Sequence, residues 1–382
     1  MTMIYLDNSA TTRPLGEAVA AVKHCFEEEY YNPSSAYGPA VRVERSVNDA
    51  RARLAQAMGV APAEIVYTSG ATESNNMAVI ATQLARHTRG TLITTKIEHP
   101  SVFEVFRFME KQGYTVHYLD VDEDGTVRMD ALEAALSQSA ALVSIMHVNN
   151  ETGAVNDIAQ AFALIKARAP QAQFHVDGVQ AFCKLPFSRV PCDLYSISAH
   201  KFHGPKGVGA LYVRQNTPFF GGFIGGGQER GIRSGTTNTP GILGMDAALA
   251  AYRNNQAEWV SAMRINKLRL AEYIRQMPDT VINGPSPENG APHILNASFL
   301  GVRGEVLLHA LEERGILVST GSACSAHKAG KNRVLSAMGV MGPRQEGALR
   351  FSFCPFNTAA EMDVTAQALY DTVAFLRRYK RR

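Results

Sequence analysis

The sequence is poor in cysteine, and the few it has are ill suited to a covalent framework. Five thiols, Cys25, Cys183, Cys192, Cys324 and Cys354, are odd in number, widely scattered and free of Cys-x-x-Cys spacing. That argues against a disulfide scaffold and a zinc site, and fits a reducing, cytoplasmic setting. Also missing is any run near the ~18 apolar residues of a membrane-spanning helix. The opening Met1-Thr2-Met3-Ile4-Tyr5-Leu6-Asp7 lacks the basic and long apolar regions of a signal peptide. Charge of one sign is scarce: the net value is +3, too slight to argue for a nucleic-acid or membrane surface. The one basic cluster, Arg377-Arg378-Tyr379-Lys380-Arg381-Arg382, reads as a solvated helix end. There is no internal repeat and no low-complexity stretch. What remains is ordinary globular composition, 46% hydrophobic and 19% charged over 382 residues, enough chain for two or three domains with large cores.

From about residue 60 to 215, short β-rich runs alternate with amphipathic helical ones. Strands are expected at 64–69, 91–97, 115–121, 142–148, 173–177, 194–198 and 209–213, with helices at 73–86, 100–112, 129–136 and 158–168. This is the α/β pattern of a mostly parallel sheet covered by helices on both faces. The stretch 219–235 is dense in glycine and polar residues, and its Glu229, Arg230 and Arg233 suggest a specific task. A long helix is expected at 255–277 and a Pro/Gly/Asn linker at 285–292. Strands at 294–299, 316–320 and 348–353 then alternate with helices at 305–314, 332–338 and from 358 onward, a smaller α+β domain. The expected division is an N-terminal segment 1–15 packed with the small domain, a large domain 16–255 and a small domain 256–382.

Polar side chains recur at the ends of the expected strands of the large domain. Lys201 follows a strand and runs into a Gly/Pro loop, which aims its amine at the strand-end crevice where α/β proteins bind ligands. Asp177 closes a neighbouring strand. A lysine with a strand-borne aspartate is the pair that a pyridoxal phosphate site needs, one for a Schiff base and one for the pyridinium nitrogen. Alone, Lys201 is an ordinary surface lysine. Thr68-Ser69-Gly70-Ala71-Thr72-Glu73-Ser74-Asn75-Asn76 joins a strand to a helix whose free N–H groups and the Thr72 hydroxyl suit a phosphate, and it reads equally as a plain N-cap. His99 would stack on a ring and exchange protons, or simply start a helix. His147-Val148-Asn149-Asn150-Glu151-Thr152-Gly153 offers amides to a phenolate or carboxylate, or makes a turn. Gln180 would lie near the same ring. Each cluster is weak; five at successive strand ends favour a site.

Two further candidates lie in the small domain. Cys324 sits in Ser319-Thr320-Gly321-Ser322-Ala323-Cys324-Ser325-Ala326-His327, where small residues would leave a thiol exposed as a nucleophile or merely as a loop residue. The planar fork of Arg350 suits a substrate α-carboxylate or a surface ion pair.

Together these stretches resemble the NifS/IscS-type cysteine desulfurases, of the class V aminotransferase group with the pyridoxal phosphate fold type I. The resemblance is carried in order by Tyr5–Thr12, Asn32–Ser35, Thr68–Asn75, Met146–Gly153, His175–Gln180, Ser198–Gly207, Gly225–Thr236 and Gly321–Ser325. It implies a homodimer that binds pyridoxal 5'-phosphate, converts L-cysteine to L-alanine and holds the sulfur on Cys324 as a persulfide. Lys201 would anchor the cofactor and move the substrate α-proton, Asp177 would pair with the ring nitrogen, and His99 would stack on the ring. Asn150 and Gln180 would surround the ring oxygen. Ala71, Thr72, Ser198 and His200 would hold the phosphate, joined by Thr236 of the partner subunit. Arg350, Asn8 and Asn150 would bind the substrate carboxylate. No metal, nucleic acid or membrane enters this scheme.

The chain departs from the family at Gln228, where histidine is usual, and in the basic run His327-Lys328-Ala329-Gly330-Lys331 after Cys324. It also stops soon after Tyr379, without the extension by which longer relatives dock an iron–sulfur scaffold. Delivery of sulfur to a tRNA-thiolating or other protein acceptor is therefore at least as well suited. The same lysine and aspartate would serve a selenocysteine lyase or a class V aminotransferase, and the fold alone would serve a non-catalytic scaffold.

Overall fold

The computed structural model describes residues 3–87, 89–321 and 332–379. The chain opens with β1 (Ile4–Tyr5), α1 (Gly16–Glu27) and α2 (Gly38–Met58). Strands and helices then alternate: β2 (Ile65–Thr68), α3 (Ala71–Leu84), β3 (Thr91–Thr95), α4 (Pro100–Lys111), β4 (Val116–Leu119), α5 (Met129–Ala135), β5 (Ala140–Met146) and α6 (Ile158–Arg168). Next come β6 (Gln173–Asp177), β7 (Leu194–Ser198), β8 (Gly209–Val213) and the long α7 (Thr239–Gln276). The remainder is β9 (Thr280–Asn283), β10 (Ile294–Phe299), α8 (Gly304–Glu312), β11 (Ile316–Leu317), α9 (Arg333–Ala337), α10 (Gly342–Glu346), β12 (Ala348–Ser352) and α11 (Ala359–Tyr379).

The main sheet has seven strands in the order β2-β8-β7-β6-β5-β3-β4. Strand β8 is antiparallel to both neighbours and every other pairing is parallel. Thus β2, β7, β6, β5 and β3 all point the same way, and their C-terminal ends share one edge. Every residue of β5, β6 and β7 is buried, as expected of parallel strands covered on both faces. Polar residues within them are paired: His175 in β6 meets Ser144 Oγ at 2.8 Å and Ser196 Oγ at 3.0 Å. Burial pushes the His175 imidazole down to about 3, so it is neutral.

A second core is built on the antiparallel sheet β9-β10-β12, with α8, α11 and the C-terminal half of α7. Ile4 and Leu6 belong to it, because β1 lies parallel to β11 with Ile4 opposite Ile316. The long helix serves both cores: Ile242 to Tyr252 face the first, and Met263 to Ile274 the second.

Two expectations are corrected, and two helices are added. The helix expected at 255–277 begins at Thr239, so residue 255 lies inside a continuous element. Its start is fixed by Asn238, whose Oδ1 accepts from Gly241 N at 3.1 Å, and by Pro240 in the first turn. Gly244 is no break: a Cβ there would come within 2.6 Å of Pro205 Cγ, so glycine allows the helix to close on that loop. The strand expected at 316–320 is two residues long, and beyond it Ser319 bridges to Arg350 instead. Finally, α1 and α2 were not anticipated. Among the described residues no helix is long and apolar enough to cross a membrane.

Candidate active site

The shared sheet edge opens into a cleft of about 830 Å³. Ser69–Glu73 line it from the β2–α3 turn, Glu98–Ser101 from the end of β3, and Asn150 and Glu151 from beyond β5. Asp177 and Gln180 enter from the end of β6 and just beyond it, Ser198, His200 and Lys201 from the end of β7 and the turn after it, and Arg350 from β12 in the second core. The five strand-end clusters therefore converge, and the second core closes one side.

Lys201 ends a short turn, 199–201, that follows β7. Its Nζ donates to Ser9 O at 2.6 Å and Ala10 O at 2.8 Å, which ties the amine to the N-terminal segment lining the cleft. Behind it, the buried Lys184 donates to Lys201 O, and burial lowers the Lys184 amine to about 8. Asp177, the last residue of β6, is buried. Its Oδ2 accepts from Asn75 Nδ2 at 2.9 Å and its Oδ1 from Val179 N at 3.0 Å, both neutral donors. Gly178 follows it because a Cβ there would sit 2.0 Å from Tyr195 Cε1. His99 caps α4, with Nδ1 2.8 Å from Ser101 Oγ and accepting from Ser101 N at 3.2 Å. Burial, and then nearby Lys201, Arg333 and Arg350, push its pKa down against the opposing pull of Asp177.

Gln180 is held at both ends: Nε2 donates to Ser9 O at 3.0 Å, and Oε1 accepts from His293 Nε2 at 3.2 Å. Arg350, 4% exposed, donates from Nη2 to Asp7 Oδ1 at 2.7 Å and from Nη1 to Asn150 O at 3.1 Å. Asn150 Nδ2 donates to Glu151 Oε1 at 3.2 Å. Asn8 is placed differently from expectation. Its amide donates to Tyr5 O at 3.1 Å and Ser352 O at 2.9 Å, and it is not among the residues lining the cleft. Its neighbour Asp7 is the residue that meets Arg350.

The class-V aminotransferase family model matches residues 4–364. A cysteine desulfurase of Trichormus azollae is 39% identical over 380 residues, spanning 99% of this chain and 94% of the relative. The chain belongs to the class-V aminotransferases, in their cysteine desulfurase branch. Solved structures agree. A NifS-like protein superposes with a TM-score of 0.92 at 36% identity, over 98% of this chain and all of that one. SspA in complex with cysteine gives a TM-score of 0.80 at 31% identity, over 93% of this chain and all of that one.

Cysteine desulfurases use pyridoxal 5'-phosphate, and the residues present fit that cofactor. Asp177 is a buried carboxyl with no ion-pair partner among the described residues, which suits a protonated ring nitrogen. At the other end, the first residue of α3 follows Gly70, which provides no side-chain cap, so the helix N–H groups of Ala71 and Thr72 face the cleft uncapped. Ser198 Oγ faces that turn, 3.5 Å from where a Gly70 Cβ would sit. His200 Nδ1 lies 3.2 Å from Thr11 Oγ1, and burial takes its imidazole down to about 4.

Thr236 of this chain does not line the cleft; it lines a smaller adjoining cavity of about 180 Å³ with Glu229 and Arg233, which shares Ser69 and Gly207 with the cleft. Those two charged residues anchor the glycine-rich stretch. Glu229 accepts from the Arg51 guanidinium twice at 2.7 Å, and Arg233 Nε donates to Glu73 Oε1 at 2.8 Å. Gln228 Oε1 accepts from Gly235 N at 2.9 Å and so braces the same loop.

Sequence reasoning missed several residues of this desulfurase cleft. Glu98, beside His99, is fully buried, and burial raises its carboxyl to about 8. Asn75 and Glu151 stood inside quoted motifs without a role. Arg333 gave no sequence signal at all: its guanidinium donates to the carbonyls of Lys96 and Glu98 and lies 3.8 Å from the centre of the Phe103 ring. Cys324 lies outside the described residues. Gly321 and Asn332, the described residues on either side of its segment, both line the cleft.

Proposed function

We propose that this desulfurase takes sulfur from free L-cysteine onto Cys324, releases L-alanine, and passes the sulfur to a protein acceptor. The observation that carries the reading is the convergence of Lys201, Asp177 and Arg350 on one cleft whose rim residues flank the segment bearing Cys324. Bound pyridoxal phosphate supplies the electron sink, held by Lys201, Asp177, Gln180, His99 and the turn Gly70–Thr72 with Ser198 and His200. Arg350 fixes the substrate carboxylate, with Asn150 beside it, and Lys201 Nζ moves the proton from the substrate Cα. The neutral imidazole of His99, whose Nδ1 accepts from Ser101 N, carries its proton on Nε2 and can donate it from there. The Cys324 thiolate bonds to the substrate sulfur as the C–S bond breaks. Its electron pair stays with Cβ, which is protonated to the methyl group of alanine, leaving a persulfide on Cys324.

A homodimer completes the site in this reading. Thr236 does not line its own cleft but a cavity beside it, and the neighbouring loop exposes Phe220, Phe223 and Ile224. The acceptor is a protein of iron–sulfur cluster assembly or of tRNA thiolation, in the cytoplasm. An aminotransferase or selenocysteine lyase would use the same cleft, and Cys324 separates the first of these, because transamination needs no thiol. Replacing Cys324 by alanine is expected to keep the cofactor's visible absorbance and to lower alanine formation from cysteine at least ~100-fold. Undiminished turnover in that variant would sink the persulfide route.

A further inference from the structure

Arg350 faces two carboxylates that come from different parts of the chain. Asp7 Oδ1 lies 2.7 Å from Nη2 and Glu151 Oε1 lies 3.9 Å from Nη1. With both ionised, the guanidinium would be over-neutralised before any ligand arrived, and an incoming carboxylate would meet net negative charge. Glu151 is the group able to relieve this. It is buried, and burial, then Asp7, raise its pKa against the opposing effects of Arg350, Asn332 and Asn150. Its Oε1 accepts from Asn150 Nδ2 at 3.2 Å, whereas its Oε2 has no close hydrogen-bond partner among the described residues, Asn332 being near enough only to draw the pKa down. That oxygen is turned to Gly321, where a Cβ would lie only 1.8 Å away. Arg350 Nε is likewise buried without an acceptor among the described residues. Among the described residues, one cleft therefore has beside it an N–H without an acceptor and a carboxyl oxygen without a close donor. A ligand carboxylate satisfies the first and a proton the second.

We propose that Glu151 takes up a proton when the substrate carboxylate docks on Arg350, so that Glu151 sets the affinity and pH dependence of substrate binding. This rests on Arg350 being the carboxylate ligand of the reading above. The proton comes from solvent and goes to Glu151 Oε2; no covalent bond breaks. Among the described residues the charged groups facing Glu151 are Arg350 from β12, Asp7 from the N-terminal segment and Arg333 from α9, with Asn150 and Asn332 as neutral neighbours. Because the ligand favours the protonated form, binding is full at pH below the ionisation of Glu151 and is lost as pH rises through it.

The test uses propionate, a carboxylate without amine or thiol, on the holoenzyme. Its dissociation constant is measured by competition with L-cysteine and by calorimetry in buffers of different ionisation enthalpy, from about pH 6 to about pH 9. The expected result is weakening by about tenfold per pH unit on the alkaline limb, with about one proton taken up per propionate bound. Glu151→Gln, uncharged and of the same shape, should remove that limb and keep the binding seen at low pH. The same pH slope in both proteins overturns the proposal. Arg350→Gln should lose binding at every pH. Unchanged binding there overturns the role of Arg350 and the inference with it, whereas lost binding there together with a flat wild-type profile overturns the inference alone. Should Glu151→Gln fail to fold, the wild-type proton count decides, and a count of zero overturns the proposal.

Discussion

Glu98 shows what a single buried acid does to this protein. Its Oε1 accepts from Thr95 Oγ1 at 2.8 Å and from Met146 N at 2.9 Å, and its Oε2 has no partner among the described residues. Burial raises the carboxyl from 4.5 to about 8, helped by Asp177 and opposed by those two hydrogen bonds and Arg333. The folded protein thus holds a proton that the unfolded chain releases, so stability is full below the unfolded value and falls as pH rises toward about 8. Glu98→Gln keeps the shape and removes the titration. Its stability relative to wild type should grow by about 2 kcal/mol between mildly acidic and mildly alkaline pH, read from urea midpoints. Parallel curves for the two proteins would refute this role. At this scale Lys201, Asp177 and His99 were legible as cleft residues because chemically distinctive residues stood at or just past strand ends, whereas Arg350, in the middle of β12, stood out only by its planar guanidinium. Glu98 and Glu151 stayed silent because their properties depend on partners far along the chain, such as Arg350 beside Glu151.

Among the elements, β6, β7, β8 and β10 were legible to the residue, since a buried strand spells a short apolar run between polar breaks. The first half of α7 was not, because Pro240, Gly241 and Gly244 look like breakers until Asn238 caps the helix and Pro205 packs against the glycine. The stretch 219–235 gave only the hint of its charges, and the structure explains them. Glu229 and Arg230 have positive φ values of 48° and 58°, a conformation held by the buried Arg51–Glu229 pair and by Glu229 accepting from Tyr67 N at 2.9 Å. Glu229→Ala leaves Arg51 buried without its partner and should cost about 3–5 kcal/mol, with faster proteolysis between residues 219 and 235. The pair Arg51→Met with Glu229→Leu should recover part of that loss. A single variant as stable as wild type would show that the ion pair does not hold the loop.

At the scale of the molecule, one chain displays apolar surface that its own cores do not cover. Ile224 is 90% exposed at the tip of the anchored loop, and Phe26 and Tyr30 are each 68% exposed at and after the end of α1. Thr236 stands near this loop and does not line its own cleft, an arrangement compatible with each cleft borrowing Thr236 of the partner subunit across a twofold axis. Two consequences separate this from incidental stickiness. Ile224→Asp should shift the sedimenting species from dimer to monomer and weaken cofactor retention, whereas Thr236→Ala should weaken retention while leaving the dimer intact. Mixing subunits gives the sharper outcome. A Lys201→Ala chain lacks the cofactor anchor in its own cleft but still offers Thr236 to its partner. Paired with a Thr236→Ala chain, it restores one complete cleft per mixed dimer, so random reassortment should return about a quarter of the wild-type sites. Activity and cofactor absorbance would both rise on mixing, from chains that separately show little of either. If mixed dimers form by sedimentation and neither signal rises, Thr236 acts within its own chain and the shared cleft is refuted.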